Sequence, residues 1–408
     1  MKNLFSKQLL LLSILSLFMF SCGDDEPAAP TVLTPKLEGM YVFGSNTIAA
    51  EAVDPKARMI QAVLNPGKSG GKQSQAGVYG QLMYIGANST INFTEVVSGA
   101  GTTYGAAGGG TVGMGTDAGN TDINDNLIYG TLVKDAPSIK VTEEGLYYVF
   151  VNATDKSFRM MKIRANMIGD ATPGNWSTST PLPMVFASKD STIFEKTGVE
   201  LIGAAGYKYR FNEGYEIFND NIIATLTFLG VESYGTAWDT GINNLVYKDE
   251  NIPNKVGGKF TVRLKYNAVT NQWKETKTKD YSTTRMGLFG NAYTLPSGAE
   301  GNWGSGTDGY GLHTPTKSGN VWTWTWNDVN LIEGREFIFL ENGAWGGLQI
   351  DYAGASVSGA AISGGQIKNA KDVGGEYANF FVATAGRYNI TLSIDTKTDA
   401  RTITVVPR

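Results

Sequence analysis

Residues 320–347 read NVWTWTWNDVNLIEGREFIFLENGAWGG. Trp322, Trp324 and Trp326 alternate with Thr323 and Thr325, and a period of two puts three indoles on one face of a β-strand. Three large rings on one face serve a sandwich core better than an exposed platform. A turn at Glu333-Gly334 follows, then a second alternating run, Phe337-Ile338-Phe339. Beyond it Trp345 stands alone among small residues. The order of strand, turn, strand and isolated aromatic recurs upstream in weaker form, so the chain reads as three copies of one β-module.

The copies share their openings: Tyr41-Val42-Phe43-Gly44-Ser45, Met167-Ile168-Gly169-Asp170 and Leu288-Phe289-Gly290-Asn291. Their glycines lie 125 and 121 residues apart (169 − 44 and 290 − 169), a near-constant period that marks internal repetition. A mid-module strand pair follows each opening. It runs from Leu201-Ile202 to 207–211 in the second copy and from Leu331-Ile332 to 337–339 in the third. The first copy, least faithful, offers Leu82-Met83-Tyr84-Ile85 and Ile91-Asn92-Phe93. Each copy closes on a glycine-led strand (Gly145, Gly258, Gly386) and a hairpin turn at 152–156, 267–271 or 395–399. The expectation is an all-β fold of three tandem antiparallel β-sandwich modules at 36–164, 165–283 and 284–408. The glycine-rich stretch 99–119 reads as a surface or binding loop.

Composition agrees. Of 408 residues 51 are glycine, 42% are hydrophobic and 18% charged, which suits many short strands with real cores and argues against disorder. A net charge of −4 without a basic stripe argues against a nucleic-acid partner. Cys22 is the only cysteine and His313 the only histidine. No disulfide forms within one chain, a Cys/His zinc cluster is ruled out, and a Ser–His–Asp hydrolase has only His313, in a Gly/Thr/Pro setting that reads as a surface loop. Gly67-Lys68-Ser69 lacks the glycine a phosphate loop needs five residues earlier, where Ala62 stands. Asp122-Ile123-Asn124-Asp125-Asn126 lacks the glycine and closing glutamate of a calcium loop. Neither a cofactor nor a metal is expected.

Lys2 and Lys7 precede the apolar run 9–20, which ends at Ser21-Cys22; this reads as an export signal over 1–21. The run is short for a membrane span, which takes about 20 residues. Its place before the cysteine resembles a bacterial lipoprotein signal, with Cys22 lipidated and anchored in the outer membrane. The acidic Gly23-Asp24-Asp25-Glu26 resembles the surface-export signal of Bacteroidota lipoproteins. Residues 22–35, rich in proline, make a flexible tether.

Three modules behind such a signal, with MIGDATPGNW at 167–176, LFGN at 288–291 and the strand pair 322–339 followed by Trp345, resemble the SusE/SusF type of outer-membrane glycan-binding lipoproteins. The resemblance covers the chain from about residue 39 onward. It implies surface β-sandwich modules without catalysis that hold polysaccharide near a SusC/SusD-type TonB-dependent importer. Two departures stand out. The family often begins with an immunoglobulin-like domain, whereas the first module here looks like a divergent glycan module, and that module has no tryptophan.

Sugar rings present an apolar face ringed by hydroxyls, so a site needs an exposed flat ring and planar polar groups around it. In the third module the candidates are Trp345, Trp303, Tyr310 and Tyr352, with Arg335, Asn342 and Asp351 as polar partners. In the second they are Tyr215 and Trp238, with Arg210 beside them, while Trp176 caps the core. The expected function is capture of oligo- or polysaccharide for the importer. Two alternatives stay open: an accessory importer subunit that works by protein contacts, perhaps on peptide cargo, and a glycosidase, which needs only two carboxylates.

Overall fold

The Trp-Thr alternation forms the strand Val321–Leu331, and Trp322, Trp324 and Trp326 are buried in the core of the third module. Strict alternation would carry Asp328 inward and turn Val329 and Leu331 out. The register against Gly386–Asp395 instead shifts between Trp326 and Val329, with Asp328 in the left-handed region at φ 62°. This bulge takes up one residue and keeps Val329 and Leu331 facing in. The strand Ser191–Leu201 repeats the device: its register shifts between Lys196 and Val199, with Gly198 at φ 68°.

The structure is a computed structural model that describes residues 37–64, 73–113, 127–212, 230–231, 245–246, 251–295, 297–303 and 310–408. Residues 38–408 form one compact unit. The fold is all-β, with sheets that are antiparallel except where Ser356–Ser358 runs parallel to Ala400–Pro407. Strands between 286 and 407 make two sheets. One is built on Met286–Gly290 and Glu336–Glu341, the other on Val321–Leu331, Gly386–Asp395 and Ala400–Pro407. Strands between 165 and 279 make a second such pair, built on Ala165–Ile168 with Ala205–Phe211 and on Ser191–Leu201 with Gly258–Asn267.

The opening glycines are where these strands cross closely. A Cβ on Gly290 would stand 2.2 Å from the Glu336 carbonyl oxygen and one on Gly169 2.5 Å from Tyr207 Cα, and both residues have φ near +140°. The closing hairpins also share one construction. Asn152, Asn267 and Asp395 each accept at Oδ1 from the N–H two residues on, at 2.8–2.9 Å. Lys156, Asn271 and Asp399 then take the left-handed conformation that returns the chain.

The first module departs from expectation. Its ten strands form one continuous hydrogen-bonded sheet around a core that includes Met40, Phe93, Val149 and Phe158. A bridge from Tyr41 to Arg58 ties its first strand to the segment that leads into Ile60–Leu64. The anticipated mid-module pair does not form: Gln73–Ile85 pairs with Gly145–Asn152, while Ser89–Val97 pairs with Gly39–Gly44 and Ala100–Ala106. Ala100–Ala106 is thus a strand where the glycines had suggested a loop. Its small residues suit a tight position: a Cβ on Gly105 would meet the Pro137 carbonyl oxygen at 2.1 Å.

The second and third modules are joined through a buried polar contact. Lys279 Nζ donates to both carboxylate oxygens of Glu341 at 2.7–2.8 Å, and Tyr281 packs edge-on against Trp324 at 5.5 Å.

Candidate functional site

Gln272–Lys279 and Glu336–Glu341 meet at Glu341, the foundation of the site. Its carboxylate, almost fully buried, accepts from Lys279, from the Thr284 hydroxyl at 3.3 Å and from Leu348 N–H at 2.9 Å. Between Glu341 and Leu348 the chain loops outward through Asn342 and Gly343, both left-handed at φ 51° and 72°, and presents Trp345. The Gln349 amide donates to the Trp345 carbonyl oxygen and fixes the loop from its far side.

Trp303 arrives from a different part of the chain. Gly301 is packed where a Cβ would lie 2.4 Å from the Tyr293 ring, and Gly290 N–H donates to the Asn302 carbonyl oxygen at 3.3 Å. The two indoles lie nearly parallel, with planes 27° apart and centroids at 6.3 Å. Trp303 is 36% exposed and Trp345 40%. Next to them opens a groove of about 610 Å³ lined by Trp303, Trp345, Tyr377, Ile338 and the polar residues Glu336, Gln349, Asp351 and Asn379. Tyr377, 62% exposed, supplies a third ring, and Ile338 an apolar wall.

Alternation explains the polar and apolar division. Phe337 and Phe339 point into the core, so Glu336 and Ile338 face the groove from the same strand. Asn379 Nδ2 donates to Glu336 Oε2 at 2.8 Å, and Gly354 N–H to Asp351 Oδ1 at 2.7 Å. Flat rings, an apolar wall and hydrogen-bonded carboxylates and amides can together hold a hydroxylated ring by stacking and by bonds to its rim. No group of three or more His, Cys, Asp and Glu is placed to hold a metal ion among the described residues.

The structure therefore brings Trp303, Trp345 and Asp351 together. Tyr352 is half-buried and packs on Phe380 at 5.3 Å, as part of the core's edge. Arg335 is exposed outside the groove lining, with Nη2 3.9 Å from Glu300. Asn342 closes the fold: its Oδ1 accepts from Arg285 N–H at 2.9 Å and its own N–H donates to the Arg285 carbonyl oxygen. Asn212 makes the same pair of bonds to Arg164 in the second module, which identifies both asparagines as equivalent clamps. Tyr310 belongs to the edge strand Tyr310–His313.

Arg210 is buried, with Nε donating to the Ser179 hydroxyl at 2.7 Å. Tyr215 and Trp238 lie outside the described residues, as do Cys22, Gly67-Lys68-Ser69 and the acidic stretch at 122–126. Two further readings change. Trp176, expected to cap the core, is 36% exposed, with Lys208 Nζ 5.9 Å above its ring. It is the positional equivalent of Trp303, because Gly169 N–H donates to the Asn175 carbonyl oxygen as Gly290 N–H does to that of Asn302. His313, expected in a loop, lies in a strand and stacks on Trp326 at 5.4 Å.

Sequence reasoning missed Tyr377, Glu336, Gln349 and Asn379. Tyr377 carried the signal that singled out Trp345, an aromatic among small residues, in Gly374-Gly375-Glu376-Tyr377-Ala378.

No family model and no curated protein matches the sequence. Among solved structures the chain is similar to SusF from Bacteroides thetaiotaomicron, at 12% identity and a TM-score of 0.21, covering 90% of this chain and 72% of that one. An overlap this loose carries neither site nor activity to the present chain.

Proposed function

We propose that this protein is a non-catalytic glycan-binding lipoprotein. It is anchored in the outer membrane through Cys22, faces the cell exterior and captures oligo- or polysaccharide for a SusC/SusD-type importer. The observation that supports binding is the groove in which Trp303, Trp345 and Tyr377 stand exposed beside two hydrogen-bonded carboxylates and two amides. Exposed aromatic clusters of this kind are costly to leave in water and suit a ligand with an apolar face and a polar rim.

Isothermal titration against neutral plant, algal and microbial polysaccharides tests the reading. Binding to at least one of them, weakened about tenfold or more (roughly 1.4 kcal/mol) by Trp345→Ala, is the expected result. No heat with any polymer would count against it. Release of reducing sugar by the purified protein would replace capture with hydrolysis.

A further inference from the structure

The groove carries charge of one sign. Glu336 and Asp351 line it, and no lysine or arginine does so among the described residues. Each carboxylate is held through one oxygen, by Asn379 or by Gly354 N–H. That leaves Oε1 of Glu336 and Oδ2 of Asp351 without a hydrogen bond among the described residues. A third carboxylate, Glu376, is the neighbour of Tyr377 in the chain, and its influence is the main reason the phenol's pKa is raised. The nearest guanidinium in sequence, Arg335, lies outside the lining and turns to Glu300 at 3.9 Å.

Carboxylate oxygens accept hydrogen bonds and donate none. A neutral sugar offers them hydroxyl donors. A uronate or sulfate ester places a fixed negative charge beside two others, in a walled groove where solvent screens less well than in open water. We infer that the groove selects uncharged polysaccharide and rejects polyanionic chains, with Glu336 and Asp351 as the specificity-determining residues. The inference rests on the glycan-binding reading above and adds the class of chain that is admitted.

The test compares pullulan, laminarin and galactomannan with the derivative of each in which the C6 alcohols are oxidised to carboxylates, so that backbone and linkage are kept. Titration calorimetry on the full protein reads the ratio of neutral to oxidised affinity. At low salt a neutral polymer that binds is expected to exceed its oxidised form by at least about tenfold, a gap that narrows at high salt. In the double variant Glu336→Gln, Asp351→Asn the ratio is expected to fall towards one. Equal or tighter binding of the oxidised form overturns the charge selection and leaves glycan capture standing, as does a ratio the double variant does not move. Silence with all six polymers overturns both.

Discussion

A single asparagine with a left-handed backbone decides how the Trp345 loop leaves its strand. Asn342 stands at φ 51° and ties its Oδ1 to Arg285 N–H, so two demands fall on one residue. Asn342→Ala keeps neither the bond nor an easy left-handed backbone and is expected to cost about 2–3 kcal/mol, the sum of roughly 1–2 for the conformation and about 1 for the bond. Asn342→Gly loses only the bond and should cost about 1 kcal/mol. Denaturant titration of both variants checks the order; an alanine variant as stable as the glycine one would show that the conformation carries no strain. The tryptophan, the glycines and the asparagine of this loop were all visible in the sequence, yet Asn342 read as a ligand partner. A polar side chain in a loop looks the same whether it faces a sugar or a backbone N–H. Only the pairing of Met286–Gly290 with Glu336–Glu341 puts Arg285 opposite it.

At the scale of the strands, the pattern was most legible where one face is buried. Trp322, Trp324 and Trp326 predicted their own burial because alternation leaves them one direction, and the equal hairpin turns were readable from their Asn and Asp residues. The first module was less legible, since glycine and small residues mark a crowded strand such as Ala100–Ala106 and a loop equally well. The groove's polar half stayed hidden for a related reason. Gln349 and Asn379 come from short strands or the segments beside them, and their pairing with Glu336–Glu341 depends on long-range contacts.

The opening glycine gives a test at this scale. Gly290→Ala places a methyl 2.2 Å from the Glu336 carbonyl oxygen at a backbone angle that alanine resists. The strand must shift, and a loss of roughly 3 kcal/mol or more is expected from strain and lost packing together. Because Trp303 hangs on the bond from Gly290 to Asn302, binding should weaken in step with the loss of stability. Thermal unfolding and calorimetry on the same variant check both. By contrast, Gly334→Ala, which has open space around its Cβ, should cost only about 1–2 kcal/mol for its left-handed φ of 73°.

The whole molecule stores an unusual amount of chemistry in its interior. Tyr207 and Tyr209 donate to the fully buried carboxylate of Glu275 at 2.7–2.8 Å, while Tyr147 bonds the Glu143 carbonyl oxygen and Tyr266 that of Leu82 in the first module. Burial is the largest cause that raises the pKa of all four phenols above the usual 10.0; the Glu275 carboxylate adds to it for Tyr207 and Tyr209, and Glu143 for Tyr147. In the unfolded chain each phenol loses its proton near pH 10, while the folded chain keeps it. The unfolded state then binds fewer protons, and stability falls as pH rises.

Lys279 works the other way. Burial lowers its pKa below 10.5, so the folded chain gives up that proton first and gains stability as pH rises towards 10.5. The four buried phenols outweigh Lys279, and the raised pKa values of Tyr84, Tyr104, Tyr377, Tyr388 and Lys156 act in the same direction as theirs. With about 1.4 kcal/mol per group for each pH unit, the phenols contribute a loss of roughly 5 kcal/mol per unit above pH 10, against one group's gain confined below 10.5. The protein should therefore hold its stability up to about pH 10 and unfold steeply within the next unit or two. Denaturation midpoints measured from pH 8 to 11.5 read this, and Tyr266→Phe should flatten the slope by about one group's share. A flat profile to pH 11.5 would mean that these phenols are open to water in the native state, and the joint made by Tyr266 between the first and second modules would be looser than its hydrogen bond to Leu82 implies.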